Sequence, residues 1–317
     1  MKPLPRNQRG IALLVALLAV ALATILIAGL LDRGELALAR TRNALRAEQA
    51  EAYSQALESY AVDVLIRDLG NGSQDNRTDL WAAPLPPQQV PGGILVGSLT
   101  DLNGCINLNN LAGTDAAAGA WLAVFRNLLR NAGADPAIAD ATKAWLSAPD
   151  DADGYYLAQP VPYRSAQRAF AHVSELRLVR GVTSDVYARI APSVCALPAG
   201  TKLNVNTASV PVLMALGQGV TKAQAERLWQ DGRAQYDDSF LTLPEWRTIP
   251  IETALGGSCC LGTSSSYFLA RGDIRLDDVP FTFFSVIERT GGMRVIERSR
   301  GSDDALVSPI AEPDDRR

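Results

Sequence analysis

The chain has 317 residues but a single histidine, His172. One imidazole leaves the serines and cysteines without an evident partner base and excludes the His pairs that hold catalytic zinc. G-x-S-x-G and P-loop sequences are absent as well, and no enzyme is expected. Positive charge is also scarce in any one place. Lys and Arg total 30 against 34 Asp and Glu, for a formal charge of -4, and no basic patch stands out that would hold a phosphate backbone. Nucleic acid is therefore not an expected partner. The longest cluster of one sign is acidic, around Asp303, Asp304, Asp314 and Asp315, and segment 302–317 reads as a solvated, disordered tail. Proline is missing from Asp32 to Leu69, where Gly34 is the one internal glycine. Nothing there breaks a helix.

What is present begins at Ile11, where an uncharged run extends to Leu31, interrupted only by Thr24 and Gly29. At about 1.5 Å per residue it spans roughly 30 Å, the thickness of a bilayer core. Lys2, Arg6 and Arg9 precede it, which places the N-terminus in the cytoplasm and the rest across the membrane. A secretory signal would carry an apolar region of about 7–15 residues and a small-residue cleavage site; Asp32-Arg33-Gly34-Glu35 is a poor one. Ala16, Ala19, Ala21, Ala23, Ala28 and Gly29 would permit close helix approach in lipid. The helical pattern continues to Leu69, with Tyr53, Leu57, Tyr60 and Val64 at helical spacing, and stops at Gly70-Asn71-Gly72.

Strand signals follow at Ile94–Asp101, Tyr267–Leu276, Phe281–Glu288 and Met293–Arg300, with Thr290-Gly291-Gly292 as a hairpin turn. Between them, residues 102–264 read as mostly helical. The expectation is an α+β fold: a long helix on a small antiparallel sheet, with a large all-α domain inserted into the sheet region. The inserted block echoes itself, since Ile106-Asn107-Leu108-Asn109-Asn110 resembles Leu203-Asn204-Val205-Asn206-Thr207. Asn and Thr there suit the first turn of a following helix. Leu216 to Leu228 resembles the hairpin of a helix-hairpin-helix module, with Leu178 to Thr183 as a weaker relative, and either could serve packing or protein contact.

Cys105, Cys195, Cys259 and Cys260 all fall on the exported side, where disulfides form, and four cysteines allow three pairings. A bond between adjacent Cys259 and Cys260 is strained, so both are expected to reach out to Cys105 and Cys195, with the choice between the two ways open. Asp150, Asp151 and Asp153 beside Gly154 suit a hard cation such as calcium, though no glutamate completes an EF-hand. A solvated acidic loop is the other reading of the same residues.

A short basic leader ending at Gly10, directly before a hydrophobic half-helix, resembles type IV pilin-like precursors. The resemblance implies cleavage by a prepilin peptidase between Gly10 and Ile11 and N-methylation of Ile11. Most such proteins carry glutamate as the fifth mature residue, which in this chain is Val15. A carboxylate in hydrocarbon needs a partner, so a subunit without it suits a filament tip with nothing above it. With "INLNN", "ELRLVRGV", "LNVNTAS" and the inserted helical block, the chain is similar to the minor pseudopilins of type II secretion known as the protein K family.

That resemblance implies a cleaved leader over 1–10, a membrane helix over 11–31 and the start of the pseudopilin domain over 32–101. The inserted α-domain would cover 102–264 and the C-terminal strands 265–301. It further implies a single-pass inner-membrane protein with its bulk in the periplasm, joined to minor pseudopilins I and J and the major pseudopilin. Its role there would be to prime pseudopilus assembly and so promote export of folded proteins across the outer membrane. Calcium sites occur in the family, which adds weight to a cation at Asp150, Asp151 and Asp153. Two other classes remain: a membrane-anchored pilin-like protein for DNA binding or adhesion, and an unrelated anchored periplasmic enzyme.

Overall fold

The computed structural model describes residues 8–70, 72–147, 153–251, 254–256 and 259–301. Helix α1 is Gln8–Leu69, built from strong helix formers without an internal proline. Two compact units divide inside it, the first ending at Tyr53 and the second starting at Ser54. The boundary thus lies well beyond Leu31, where the apolar run ends. Side chains from Ile11 to Leu45 are exposed, whereas Leu57, Ala61, Val64 and Leu65 are buried. Their spacing forms one stripe of a helix surface, and that stripe meets a sheet.

Strands β1 (Leu85–Val90) and β2 (Gly93–Asp101) form a hairpin through Pro91-Gly92. Gly92 has φ of 86°, a left-handed conformation that glycine adopts without steric cost. β1 is absent from the sequence reading because Pro86 and Pro87 each remove a backbone donor; the strand is tolerated at the edge of the sheet. The chain then leaves the sheet through β3 (Ile106–Asn107), α2 (Ala116–Asn131), α3 (Ala137–Ser147), α4 (Asp153–Leu157), α5 (Ser184–Ile190) and β4 (Val194–Cys195). A second excursion comprises β5 (Leu203–Asn204), α6 (Val210–Ala215), α7 (Lys222–Trp229), α8 (Pro244–Arg247) and β6 (Leu261–Gly262). It returns as β7 (Tyr267–Leu276), β8 (Val279–Glu288) and β9 (Arg294–Arg300).

The five long strands make one antiparallel sheet in the order β1-β2-β7-β8-β9. The helical block enters between β2 and β7 without parting them, and Leu102 N donates to Tyr267 O at 3.0 Å where it leaves. Leu57 of α1 nests over Gly97 and Gly272, which face each other across β2 and β7. A Cβ on either glycine would stand 2.5 or 2.6 Å from a Leu57 methyl carbon, so the glycine pair is the socket for the helix. One residue on, Glu58 is buried and receives Nε and Nη2 of Arg298, both at 2.8 Å. The opposite sheet face buries Tyr267, Leu269 and Phe284 against Leu102, Cys195 and Leu197.

The two excursions repeat one plan. Each opens on a short strand paired in parallel with the short strand near its end, β3 with β4 and β5 with β6. In each, an Asn-x-Asn pair begins on the last residue of that strand, Asn107 or Asn204, and its second asparagine clasps a distant backbone. Asn109 Oδ1 accepts from Phe170 N at 2.7 Å while its Nδ2 donates to Phe170 O at 3.0 Å. Asn206 treats Tyr236 the same way, at 2.7 and 3.0 Å. Two helices joined at a left-handed glycine follow in both halves, Gly133 between α2 and α3 and Gly219 between α6 and α7. The counterpart of the Leu216–Leu228 hairpin is therefore the α2–α3 turn, while Leu178 to Thr183 leads into α5, which Thr183 caps.

Candidate functional site

Gly10 and Ile11 lie inside α1, which starts one turn earlier than the apolar run. Among the described residues, this is the one helix long and apolar enough to cross a membrane. Val15 is exposed with the apolar side chains around it. Thr24, the polar interruption, donates its hydroxyl to Val20 O four residues back, which satisfies it within its own helix.

The cysteines pair differently from the sequence expectation. Cys105 bonds to Cys195, with 5.8 Å between their Cα atoms, and Cys259 bonds to Cys260. The parallel β3–β4 pair explains the first bond, since Cys105 directly precedes β3 and Cys195 lies in β4. In the second half the same two places hold Lys202 and Gly262, and the Lys202 chain lies 3.5 Å from where a Gly262 Cβ would stand. No cysteine waits there for Cys259 or Cys260, and the vicinal pair closes on itself.

Asp150 and Asp151 fall outside the described residues. Asp153 starts α4, and its Oδ1 accepts from the backbone N and hydroxyl of Ser165 at 2.9 and 2.8 Å, with Arg164 3.5 Å from Oδ2. Those bonds hold its carboxyl below the usual range. His172 caps the short helical turn Val173–Leu178 by accepting from Ser174 N at 3.1 Å.

A second group of carboxylates was invisible in the sequence. Asp68 at the end of α1, Asp75 and Asp79 in the following loop place ligand oxygens within 4.8 Å of one another. Asp75 is anchored by Ser265 N at 2.7 Å and by the Arg289 guanidinium, whose Nη1 also lies 3.6 Å from Asp68. Burial, then the charges of Asp79 and Asp75, push Asp68 up to about 6 against the pull of Arg289. Because folding raises this pKa from 3.8, Asp68 favours the folded chain fully below pH 3.8. That contribution is lost as pH rises through about 6. In metal-free buffer the urea midpoint should fall over this interval, and Asp68→Asn should flatten the slope; an unchanged slope would remove Asp68 as its source.

Two surfaces bear on partners. An open apolar groove of about 270 Å³ runs between α1 and the β1–β2 hairpin, lined by Leu57, Tyr60, Val64, Leu80, Pro84 and Leu85. Tyr60 and Leu80 are exposed along it. In the Leu216–Thr221 hairpin, Gln218 and Gly219 are exposed but Gly217 is buried: it bridges to Ile251, and a Cβ on it would lie 2.3 Å from Pro250 O. Its close-approach glycine meets protein backbone, and Lys222 beyond it lies 3.6 Å from Glu226.

Comparison with known proteins agrees with this architecture. Family models described as type II secretion system protein K match residues 104–199 and 203–256, the two repeated halves. Type II secretion system protein K of Pseudomonas aeruginosa is 34% identical, with 98% of each chain covered. The protein of the same description from Pectobacterium carotovorum is 32% identical over 93% of this chain and 97% of that one. Among solved structures, the GspK-GspI-GspJ complex of enterotoxigenic Escherichia coli contains a chain with TM-score 0.73 and 27% identity, covering 83% of this chain and 99% of that one. With its pilin-like helix, five-stranded sheet and doubled helical insertion, the chain belongs to the type II secretion system protein K family.

Proposed function

We propose that this chain is the minor pseudopilin at the tip of a type II secretion pseudopilus, anchored in the inner membrane with its bulk in the periplasm. There it joins two further minor pseudopilins, of the I and J kinds, and primes addition of the major pseudopilin beneath them. The observation that carries the reading is Val15. A subunit inside the filament would use a carboxylate at this depth to meet the terminal amine of the neighbour above, and a subunit with no neighbour above has no use for one. The related chain solved together with GspI and GspJ supports the choice of partners. The apolar groove beside α1 gives a neighbouring subunit somewhere to seat side chains. The domain limits follow from the same reading: leader 1–10, membrane helix 11–31, and a pseudopilin domain, 32–101 and 265–301, interrupted by the helical block.

Intact mass and N-terminal sequencing of the membrane-extracted protein test the processing step. Loss of residues 1–10 with a methyl group on Ile11 is expected; an uncut Met1 would reduce the protein to a membrane-anchored subunit outside the pilus pathway. Val15→Glu then tests position. Secretion should drop several-fold at unchanged protein level, and secretion indifferent to the change would count against the tip.

A further inference from the structure

The two disulfides differ in exposure and in what each bond holds. Cys105–Cys195 spans 90 residues, and Cys195 is buried with Leu197, Tyr267 and Phe284. Cys259–Cys260 joins neighbours. Cys260 is 4% exposed, whereas Cys259 lies on the surface. Both line an open cleft of about 240 Å³, together with Asn110, Ala117, Trp121 and Thr201, which gives a side chain from another protein room to approach the bond.

A fold resists reduction of a disulfide by the stability which that bond gives it, and a bond between neighbours closes almost no loop. The oxidised-to-reduced equilibrium at Cys259–Cys260 should therefore lie about a hundred-fold nearer the dithiol than at Cys105–Cys195. The dithiol also fits its surroundings. Sγ of Cys259 and of Cys260 lie 3.3 and 3.9 Å from Ala254 O; a disulfide sulfur has no proton to give that oxygen, and a thiol has one. Leu102 O stands in the same relation to Cys105 and Cys195, so loop length and exposure are what separate the two bonds.

We propose that Cys259–Cys260 is a thiol–disulfide exchange site, reduced by a C-x-x-C dithiol protein while Cys105–Cys195 stays closed. The first thiolate of the reductant attacks Cys259 Sγ, the exposed sulfur. The S–S bond breaks, and Cys260 Sγ leaves with the electron pair and takes up a proton. A mixed disulfide then joins the reductant to Cys259. The second thiolate of the reductant attacks its own partner sulfur and releases Cys259 Sγ, which takes up the second proton. Two electrons pass to this chain, and the reductant ends as its disulfide. Cys260 O accepts from Leu203 N at 2.9 Å at the start of β6, a bond that involves no sulfur, so the exchange leaves β5 paired with β6.

The test equilibrates the full chain, in detergent micelles, with mixtures of reduced and oxidised dithiothreitol, then alkylates with iodoacetamide and maps the peptides. The peptide carrying Cys259 and Cys260 should gain two carbamidomethyl groups at about a hundred-fold lower ratio of reduced to oxidised reagent than Cys105 and Cys195 require. The urea midpoint should stay close to that of the oxidised chain. Thioredoxin with serine for its second active-site cysteine cannot resolve the mixed disulfide, and after an acid quench it should be recovered on Cys259. Cys260→Ser should leave a Cys259 thiol that reacts with DTNB about ten-fold faster than the Cys260 thiol left by Cys259→Ser. Both bonds opening at one ratio, or Cys105–Cys195 opening first, would overturn the proposal. So would thioredoxin recovered on Cys260 or on neither residue, equal DTNB rates, or a chain that unfolds once Cys259–Cys260 alone is reduced. The peptide mapping uses the wild-type chain and decides even where a serine variant fails to fold.

Discussion

Serine in place of both Cys105 and Cys195 is expected to lower the stability of the compact unit that starts at Ser54 by about 4 kcal/mol. The bond joins residues 90 apart in sequence, and closing a loop of that length removes a large share of the unfolded chain's freedom. It also fastens β3 to β4, the two-residue strands on which the first helical half begins and ends. The same double change at Cys259 and Cys260 should cost about 1 kcal/mol or less, because a bond between neighbours closes almost no loop. Urea midpoints of the oxidised full-length variants in detergent give both numbers. Equal losses would mean that Cys259 and Cys260 bond to Cys105 and Cys195 after all. Non-reducing peptide mapping, with Cys105 and Cys195 recovered in one linked fragment, checks the pairing independently.

Much of this fold is legible in the sequence wherever a local rule decides. The absence of proline and the excess of good helix formers mark α1; alternation and flanking turn residues mark β2, β7, β8 and β9. The doubled plan shows because two Asn-x-Asn pairs survive in the text. What failed depended on neighbours distant in sequence. β1 is a strand only because β2 offers it an edge, and its prolines argue the other way locally. The disulfide expectation weighed the strain of a vicinal bond, but the repeat places Lys202 and Gly262 where a partner would have to be. The turn between β7 and β8 is built from Asp277 and Asp278 in left-handed conformations, where glycine or asparagine would have been the signal. Most of the Asp68 cluster lies close in sequence, but nothing marks it until Arg289 and Ser265 arrive from the far end of the chain.

The asparagine clasps should be the other costly places to touch. Asn109→Leu is expected to destabilise the chain by about 4 kcal/mol and Asn206→Leu by about 3 kcal/mol, since each lost bond to a buried partner costs about 1–3 kcal/mol. Asn109 has three such bonds, to Phe170 N, Phe170 O and, at 2.8 Å, Leu197 O, and Asn206 has two to Tyr236. Both side chains are buried, at 2% and 1% exposure, so water cannot replace the amide. Leucine fills a similar volume, which separates lost hydrogen bonding from a cavity. Aspartate should do no better, because it keeps the acceptor, loses the donors and buries a charge. Phe170 and Tyr236 sit in segments without regular structure, and the clasp gives their backbones the partners that a strand would otherwise provide. Urea midpoints and the rate of tryptic cleavage, which Arg168 and Arg233 on those segments permit, report the loss. An Asn109→Leu chain with the wild-type midpoint and wild-type protection at Arg168 would show that apolar packing alone holds the segment, and that the repeated asparagine is a relic of duplication without structural work.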